Sequence, residues 1–373
     1  MNTTELLRLA RIKKQYGNVE VLKGLDLCVG QGEFVTLLGS SGCGKTTTLR
    51  IIAGLEAADH GHVFIEGKDV SALDPDKRGV NMVFQSYALF PHMTVEQNIG
   101  YSLKLKGVPK DEIKKSVTEV LSLVRLSGFE KRKPEQLSGG ERQRVAVARS
   151  IINKPKVLLL DEPLGALDLQ LRRQMQFELK QLQKQLGLTF IYITHDQEEA
   201  LTMSDRIAVM RNGVIEQVGS AEEVYKKPKT GYVAKFVGEA NVIYGKVKTV
   251  SSYSGEEGKK ICVCFEHPAG CAEIELNEGE ANNIQAGNQI MAAIRGENIS
   301  LLEFSGSPHR TGLTASVKEK SFSSGLLRIS AHLDNSNGEE IKSSMQGIET
   351  KLKAGDRVLV SWKPNAAVLL DRE

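Results

Sequence analysis

The chain is poor in the features that mark several large classes of protein. Uninterrupted apolar runs are short, and Ala366 to Leu370 is among the longest. A membrane-spanning helix needs about 20 such residues. Met1 to Tyr16 has no apolar stretch of the kind a secretory signal carries, so none is expected, and any membrane association should come through partners. Charge of either sign is not in excess: 49 Lys and Arg stand against 46 Asp and Glu, a net +3, with no long basic run. That balance does not point to nucleic acid or to an anionic lipid surface. There is no low-complexity linker and no strong short-period repeat.

Cysteine is scarce and odd in number: Cys28, Cys43, Cys262, Cys264 and Cys271 in 373 residues. A chain this long needs no disulfide scaffold. Cys262, Cys264 and Cys271 could be read as metal ligands. The first two, however, lie in KKICVCFEH, which alternates like a strand, and no His/Cys set completes a zinc site. The usage fits a reduced cytoplasm.

Composition is that of ordinary globular protein, 40% apolar and 25% charged, and the length implies two or three domains. Up to about Val237, strand-like and helix-like segments alternate. Phe34 to Leu38, Val157 to Leu160 and Phe190 to Thr194 read as buried strands of a largely parallel sheet. Asp111 to Leu126 carries Ile113, Val117, Val120, Leu121 and Val124 at helical spacing, and Lys45 to Ala53 and Glu141 to Ile152 also read as helices. This predicts an α/β domain over residues 1–237. Beyond it, Ile243 to Val250, Lys260 to Glu266, Gln289 to Ile294, Leu313 to Val317, Leu326 to His332 and Arg357 to Trp362 are short strand-like stretches separated by Gly, Asn and Ser. Residues 238–373 therefore read as a small all-β domain or a pair of β-barrel modules.

Three motifs carry chemistry. Gly39-Ser40-Ser41-Gly42-Cys43-Gly44-Lys45-Thr46 fits G-x-x-x-x-G-K-[ST] directly after a strand and before a helical run that continues with Thr47. Strand, glycine loop and helix together let backbone N–H groups close around a phosphate. Lys45 would reach the β- and γ-phosphates of ATP, and Thr46 would bind Mg²⁺. Val157 to Leu160 then leads a buried strand into two carboxylates. Asp161 would hold Mg²⁺, directly or through water, and Glu162 would accept a proton from the attacking water. Between them, Leu137-Ser138-Gly139-Gly140-Glu141-Arg142-Gln143-Arg144 is a second helix N-terminus with exposed N–H groups, and so a second anion site. One nucleotide does not need two glycine cradles. The economical arrangement is a homodimer with each ATP between the glycine loop of one chain and Ser138, Gly139 and Gly140 of the other. Read alone, Ser-Gly-Gly is also an ordinary capped helix start.

In this combination and order the motifs resemble those of ABC transporter ATPases, and the resemblance covers essentially the whole chain. It implies a P-loop ABC nucleotide-binding domain followed by a small OB-like accessory domain of the TOBE kind. It also implies further roles. Gln85, in VFQSYALFP, resembles the Q-loop glutamine that senses Mg²⁺ and the γ-phosphate and touches the permease. His195, in ITHD, resembles the switch histidine at the γ-phosphate. Tyr16, in KKQYG, resembles the aromatic that stacks on adenine; without the resemblance it is a surface tyrosine. Asp168, in LGALD, resembles the D-loop aspartate at the dimer interface. The run Phe84 to Met93 reads as core or, by resemblance, as the groove for a permease helix, and both readings hold for different residues.

The β region implies an importer. The string MQFELKQLQKQLGLTFIYITHDQEEALTMSDRIAVM, then FVGEAN and Ala354-Gly-Asp-Arg-Val-Leu-Val-Ser-Trp362-Lys-Pro, is most similar to the spermidine/putrescine import ATPase subfamily. Gly296, where proline is common, and Asn365 and Ala366, where acidic residues are common, depart from it. The implied partners are a second copy, two integral-membrane permeases and an extracytoplasmic solute-binding protein. The implied place is the cytoplasmic face of the plasma (inner) membrane, with ATP and Mg²⁺ as cofactors. The rival readings are the same ATPase serving a sugar, ferric iron or phosphonate, a soluble ABC protein outside transport, and a β tail that binds a regulator.

Overall fold

Alternation of period two along three central strands decides the architecture of the first unit. Phe34, Leu158, Leu160, Phe190 and Tyr192 enter one core, while Val35, Leu37, Val157, Leu159, Ile191 and Ile193 enter another. Both faces of these strands are thus buried, which requires layers on either side. Each fully buried side chain of this size contributes roughly 1.5–3 kcal/mol, so a charge at any of these positions would open the sheet.

The computed structural model describes the chain except residues 1–3, 166, 256–257, 281–283, 305–310, 324, 348–349 and 372–373. It divides into two compact units, Met1–Ala221 and Glu222–Glu373. In order, the first contains β1 (Glu5–Tyr16), β2 (Val19–Gly30), β3 (Phe34–Gly39), α1 (Lys45–Ala53), β4 (His60–Ile65), β5 (Lys68–Asp69), β6 (Val80–Val83), α2 (Val95–Leu105), α3 (Lys110–Leu123) and α4 (Gly139–Ile151). It continues with β7 (Val157–Asp161), α5 (Leu169–Leu186), β8 (Thr189–Thr194), α6 (Gln197–Met203), β9 (Arg206–Arg211) and β10 (Val214–Gly219). A six-stranded sheet has the order β10-β9-β3-β8-β7-β6, and a four-stranded sheet the order β2-β1-β4-β5. From β9 to β6 every pairing is parallel; only β10 runs antiparallel, against β9. Leu49, Ile51 and Ile52 of α1 share a core with the four-stranded sheet, whereas α2 to α5 cover the opposite face.

The helices start and stop for identifiable reasons. Ser138 caps α4 in a reciprocal box with Glu141, and Thr94 caps α2 in the same way with Gln97. Asp168 caps α5, which ends at Gly187 with φ 62°. The C-terminal end of α1 is closed by the buried guanidinium of Arg78, which donates to the carbonyl of Ile51 at 2.8 Å.

The second unit begins with α7 (Ala221–Lys226) and α8 (Gly231–Phe236). Its described strands lie between Asn241 and Leu369 and are all paired antiparallel in one sheet system. Six are the stretches read from sequence; Gly270–Asn277, Ser300–Glu303, Glu340–Gln346 and Ala367–Leu369 are additional. The compact division falls after Ala221, the first residue of α7, and the expected boundary near Val237 lies after α8. Arg295, only 7% exposed, donates its guanidinium to the carbonyls of Tyr225 and Ala234, each at 3.1 Å, and to that of Val237. The same group lies 4.1 Å from the centre of the Tyr225 ring. Both helices are thereby fixed to the β unit.

Candidate active site

Parallel strands place their C-terminal ends together, and ligands of open α/β sheets bind at those ends. Leu38 of β3 pairs with Thr194 of β8, Ile193 of β8 with Asp161 of β7, and Leu160 of β7 with Val83 of β6. The segments that follow these ends carry the glycine loop, Glu162, His195 and Gln85. Sequence positions far apart are therefore neighbours because the strands are.

The loop Gly39–Thr46 needs its glycines. A Cβ at Gly39 would lie 2.6 Å from both Cys43 Sγ and the backbone oxygen of Met210. Gly44 has φ 103° and would meet Leu22 at 2.6 Å. Gly44 precedes α1 without any side-chain cap, so the first N–H groups of a nine-residue helix face the loop unshared by a side chain. Lys45, 6% exposed, donates its ammonium to the carbonyls of Gly39 at 2.8 Å and Ser40 at 2.9 Å. A positive charge thus stands over open N–H groups, the donor set a phosphate fits. Ser40 and Ser41 are exposed, Cys43 is buried beneath the loop, and Thr47 lies on the first turn of α1.

Thr46 Oγ1 lies 3.4 Å from Asp161 Oδ1. Adjacent ligands of an octahedral Mg²⁺, at about 2.1 Å from the metal, are separated by about 3 Å, so this oxygen pair fits the ion. Burial pushes the Asp161 carboxyl up, and the neighbouring Glu162 charge pushes it further; the Thr46 hydroxyl, Lys45 and Arg50 pull it back. Glu162 takes left-handed backbone, φ 43°, unusual for a residue with a side chain. Its N–H donates to Ile193 O at 3.1 Å, and its Oε1 lies 3.2 Å from His195 Nδ1. His195 itself is largely exposed.

Gln85 follows β6 and is exposed. Its Nε2 comes within 4.0 Å of the Cβ position of Gly165, in the turn after Glu162. Tyr87 and Ala88 are both left-handed, at φ 60° and 46°. Arg149 donates to both of their carbonyls, at 2.9 and 2.8 Å, and the buried Tyr87 hydroxyl donates to Pro163 O at 3.1 Å. Asn98, fully buried, binds the backbone of Phe90, Met93 and Thr94.

The remaining expected residues lie elsewhere in the chain. Ser138, Gly139 and Gly140 form the start of α4 against Leu167 and Leu171; among the described residues, the contacts of this turn do not include the Gly39–Thr46 loop. Asp168 accepts from Leu171 N at 2.9 Å as the cap of α5. Ala166, inside LGALD, lies outside the described residues. Tyr16 ends β1, 45% exposed, with the Lys14 ammonium 5.2 Å from its ring. Its link to the loop runs through β2, whose Val21 and Leu22 lie against Gly44.

The ABC transporter family model matches residues 22–165. Across 348 residues the chain is 47% identical to the spermidine/putrescine import ATP-binding protein PotA of Hahella chejuensis, spanning 92% of this chain and 91% of that one. The chain belongs to the ABC transporter family. The correspondingly named protein of Aliivibrio fischeri is 44% identical over 381 residues, 100% of this chain and 99% of its own. That of Clostridioides difficile is 58% identical over 240 residues, 64% of this chain and 69% of its own. Among solved structures, the dimeric post-hydrolysis state of the ATP-binding cassette MJ0796, bound to ADP and Pi, has a TM-score of 0.52 at 33% identity, covering 58% of this chain and 99% of that one. The cbiO1 structure from Clostridium perfringens has a TM-score of 0.55 at 28% identity, covering 59% and 90%. The first unit is thus an ABC ATPase fold, and the antiparallel second unit has the character of a TOBE-like domain.

Sequence reading of this ABC ATPase missed the residues beneath the site. Arg149, Asn98, Arg172 and Glu199 match no phosphate or metal motif. Only Thr94-x-x-Gln97, a capping-box pattern, signalled that the segment before α2 was fixed. Among the described residues no helix is long and apolar enough to cross a membrane.

Proposed function

We infer that this chain is the ATP-hydrolysing subunit of an importer for spermidine and putrescine, seated at the cytoplasmic face of the membrane on two permeases that receive solute from a binding protein. The observation that carries the ATPase reading is the convergence of Lys45, Thr46, Asp161, Glu162 and His195 at the ends of adjoining parallel strands. The solute is supported by the names of relatives that match over nearly the full chain.

In this reading the N–H groups of the loop Gly39–Thr47, with Lys45, hold the ATP phosphates, and Tyr16 stacks on the base. Thr46, Asp161 and Gln85 hold Mg²⁺, which neutralises phosphate charge. Glu162 accepts the proton of the attacking water, and His195, within reach of Glu162, contacts the γ-phosphate. Ser138, Gly139 and Gly140 stand apart from the glycine loop within one chain. They act on the nucleotide of a second copy, with Asp168 at the shared boundary. Closing of the two copies on ATP reaches the permeases through the Gln85 segment, whose two left-handed residues are braced by Arg149. ATP binding selects the closed state, and hydrolysis resets it.

The test is uptake of labelled spermidine and putrescine in cells lacking their own polyamine importers. They receive the transporter operon with this chain or its Glu162→Gln form. Uptake that depends on Glu162 supports the reading. Assembled complexes that hydrolyse ATP but move no polyamine would overturn the solute and leave the ATPase.

A further inference from the structure

The His195 side chain is largely exposed, but the residues on both sides of it are held by hydrogen bonds. Asp196, the next residue, caps α6 with one oxygen: Oδ1 accepts from Glu198 N at 2.8 Å and Glu199 N at 3.2 Å. Its backbone N–H donates to Thr194 Oγ1 at 2.9 Å. Thr194 in turn donates to the buried carboxylate of Glu199 at 2.7 Å, as does Tyr192. The second oxygen of Asp196, Oδ2, is left for Arg172 Nη1 at 3.3 Å.

Arg172 comes from the other side of the site. It lies in the first turn of α5, its N–H bonded to the carbonyl of Asp168 at 2.8 Å. Its Nη2 donates to Leu167 O at 3.1 Å, and the side chain of Leu167 lies 3.1 Å from the Cβ position of Gly139. The third guanidinium nitrogen, Nε, is buried with no hydrogen-bond partner and stands 4.0 Å from Glu199 Oε1. One planar group therefore spans from the turn before Asp168 to the turn after His195, with its buried Nε N–H still unspent.

We propose that Arg172 is a positioning residue that ties the turn carrying Asp168 to the turn carrying His195, so that His195 is correctly placed only when the Leu167–Asp168 turn is. A fork of fixed geometry suits this task better than a point charge. Its unspent Nε faces Glu199, which gives the clamp a second partner within a short displacement. A shift of the Leu167–Asp168 turn, which packs on Gly139, is passed by Arg172 to Asp196 and the backbone of His195. The proposal rests on the roles given above to His195 and to Asp168.

The experiment uses the assembled transporter in liposomes and compares Arg172→Lys, Asp196→Asn, the double variant and His195→Ala. Lysine keeps the charge but cannot reach both turns. Asparagine keeps the capping oxygen and loses the charge facing Arg172. Each single change is expected to lower kcat by about 10- to 100-fold, with KM for ATP within about twofold of wild type and the thermal midpoint unchanged. The double variant is expected to be no slower than the slower single, because one link is broken only once. Near-normal kcat in Asp196→Asn, or losses that multiply in the double variant, would overturn the proposal. So would a rise in KM that accounts for the loss. If Arg172→Lys does not fold, Asp196→Asn decides alone. Normal turnover in His195→Ala would instead remove the underlying reading of the site.

Discussion

His195 Nδ1 lies 3.2 Å from Glu162 Oε1, although 33 positions separate the two along the chain (195 − 162). Their strands are neighbours, and the left-handed backbone of Glu162 turns its carboxylate toward the end of β8. A base at that position should matter in the chemical step and little in binding. Glu162→Gln is expected to bind ATP, to lose roughly 10²- to 10⁴-fold in turnover, and to accumulate as a closed dimer. Single-turnover hydrolysis with sizing in ATP checks this; near-normal turnover removes Glu162 from the role of base.

Lys45 is held over the loop by two carbonyls and stands 6% exposed. Its ammonium faces the same space as the uncapped N-terminus of α1. Lys45→Ala should therefore lose both affinity for ATP and hydrolysis, unlike Glu162→Gln. Equilibrium binding of a fluorescent ATP analogue separates the two. Unchanged affinity would sink the assignment of the loop.

The loop glycines should differ among themselves. At Gly39 a methyl group collides with the backbone oxygen of Met210, which cannot move without shifting β9. At Gly42, φ 79°, nothing lies within 4 Å of the Cβ position. Gly42→Ala is expected to cost only the left-handed backbone penalty, roughly 1–2 kcal/mol. Gly39→Ala should cost more, and a urea titration of each variant measures the difference. Equal costs would mean that the close approach at Gly39 is relieved locally.

How much of this was legible beforehand follows from where the information is written. Lys45, Asp161 and the Gly39–Thr46 loop were readable because phosphate chemistry demands those residue types at those spacings beside a strand. The helix Lys45–Ala53 and the strand Gln289–Ile294 were readable because their periodicity is local. Arg149, Arg172 and Glu199 were not. Arg149 and Arg172 act through partners 24 to 62 positions away, and Glu199 through hydroxyls on the preceding strand that carry no motif of their own. Arg295 is the same case: the carbonyls it serves in and after α7 and α8 lie 58 to 70 positions away along the chain.

Glu199 should make stability depend on pH. It is 3% exposed, and burial pushes its carboxyl up, opposed by the hydroxyls of Thr194 and Tyr192; Asp196 pushes it up further, and Arg172 opposes. A carboxyl with a raised folded pKa favours the folded state fully below its unfolded value, about 4.3. That contribution is lost as pH rises through the folded value. Glutamine can still accept from both hydroxyls without carrying a charge. Glu199→Gln is therefore expected to match wild type in acid and to gain relative stability as pH rises toward neutrality. Thermal melts across that interval check the sign, and a relative loss at neutral pH would mean that the pairing with Arg172 outweighs burial.

Arg295 makes the clearest prediction for the second unit. Its side chain serves carbonyls of Tyr225, Ala234 and Val237, all close to or within α7 and α8, and it packs on the Tyr225 ring. Burial, and then the bond that the Tyr225 hydroxyl donates to Glu297 at 2.7 Å, raises the phenol to about 12. Arg295→Met keeps most of the packing and removes the guanidinium donor from the Tyr225 and Val237 carbonyls, while Ala234 O keeps the Ala240 N–H at 3.1 Å. An unsatisfied buried polar group costs about 1–3 kcal/mol, so the variant should lose several kcal/mol in total. A fragment of residues 222–373 should melt cooperatively, whereas one of 238–373 loses the carbonyls that Arg295 serves and the packing of Ala234 on Met291 and Ala293 and should be markedly less stable. Calorimetry on both fragments decides it: equal midpoints would mean that α7 and α8 are passengers and that the β strands alone make the folding unit.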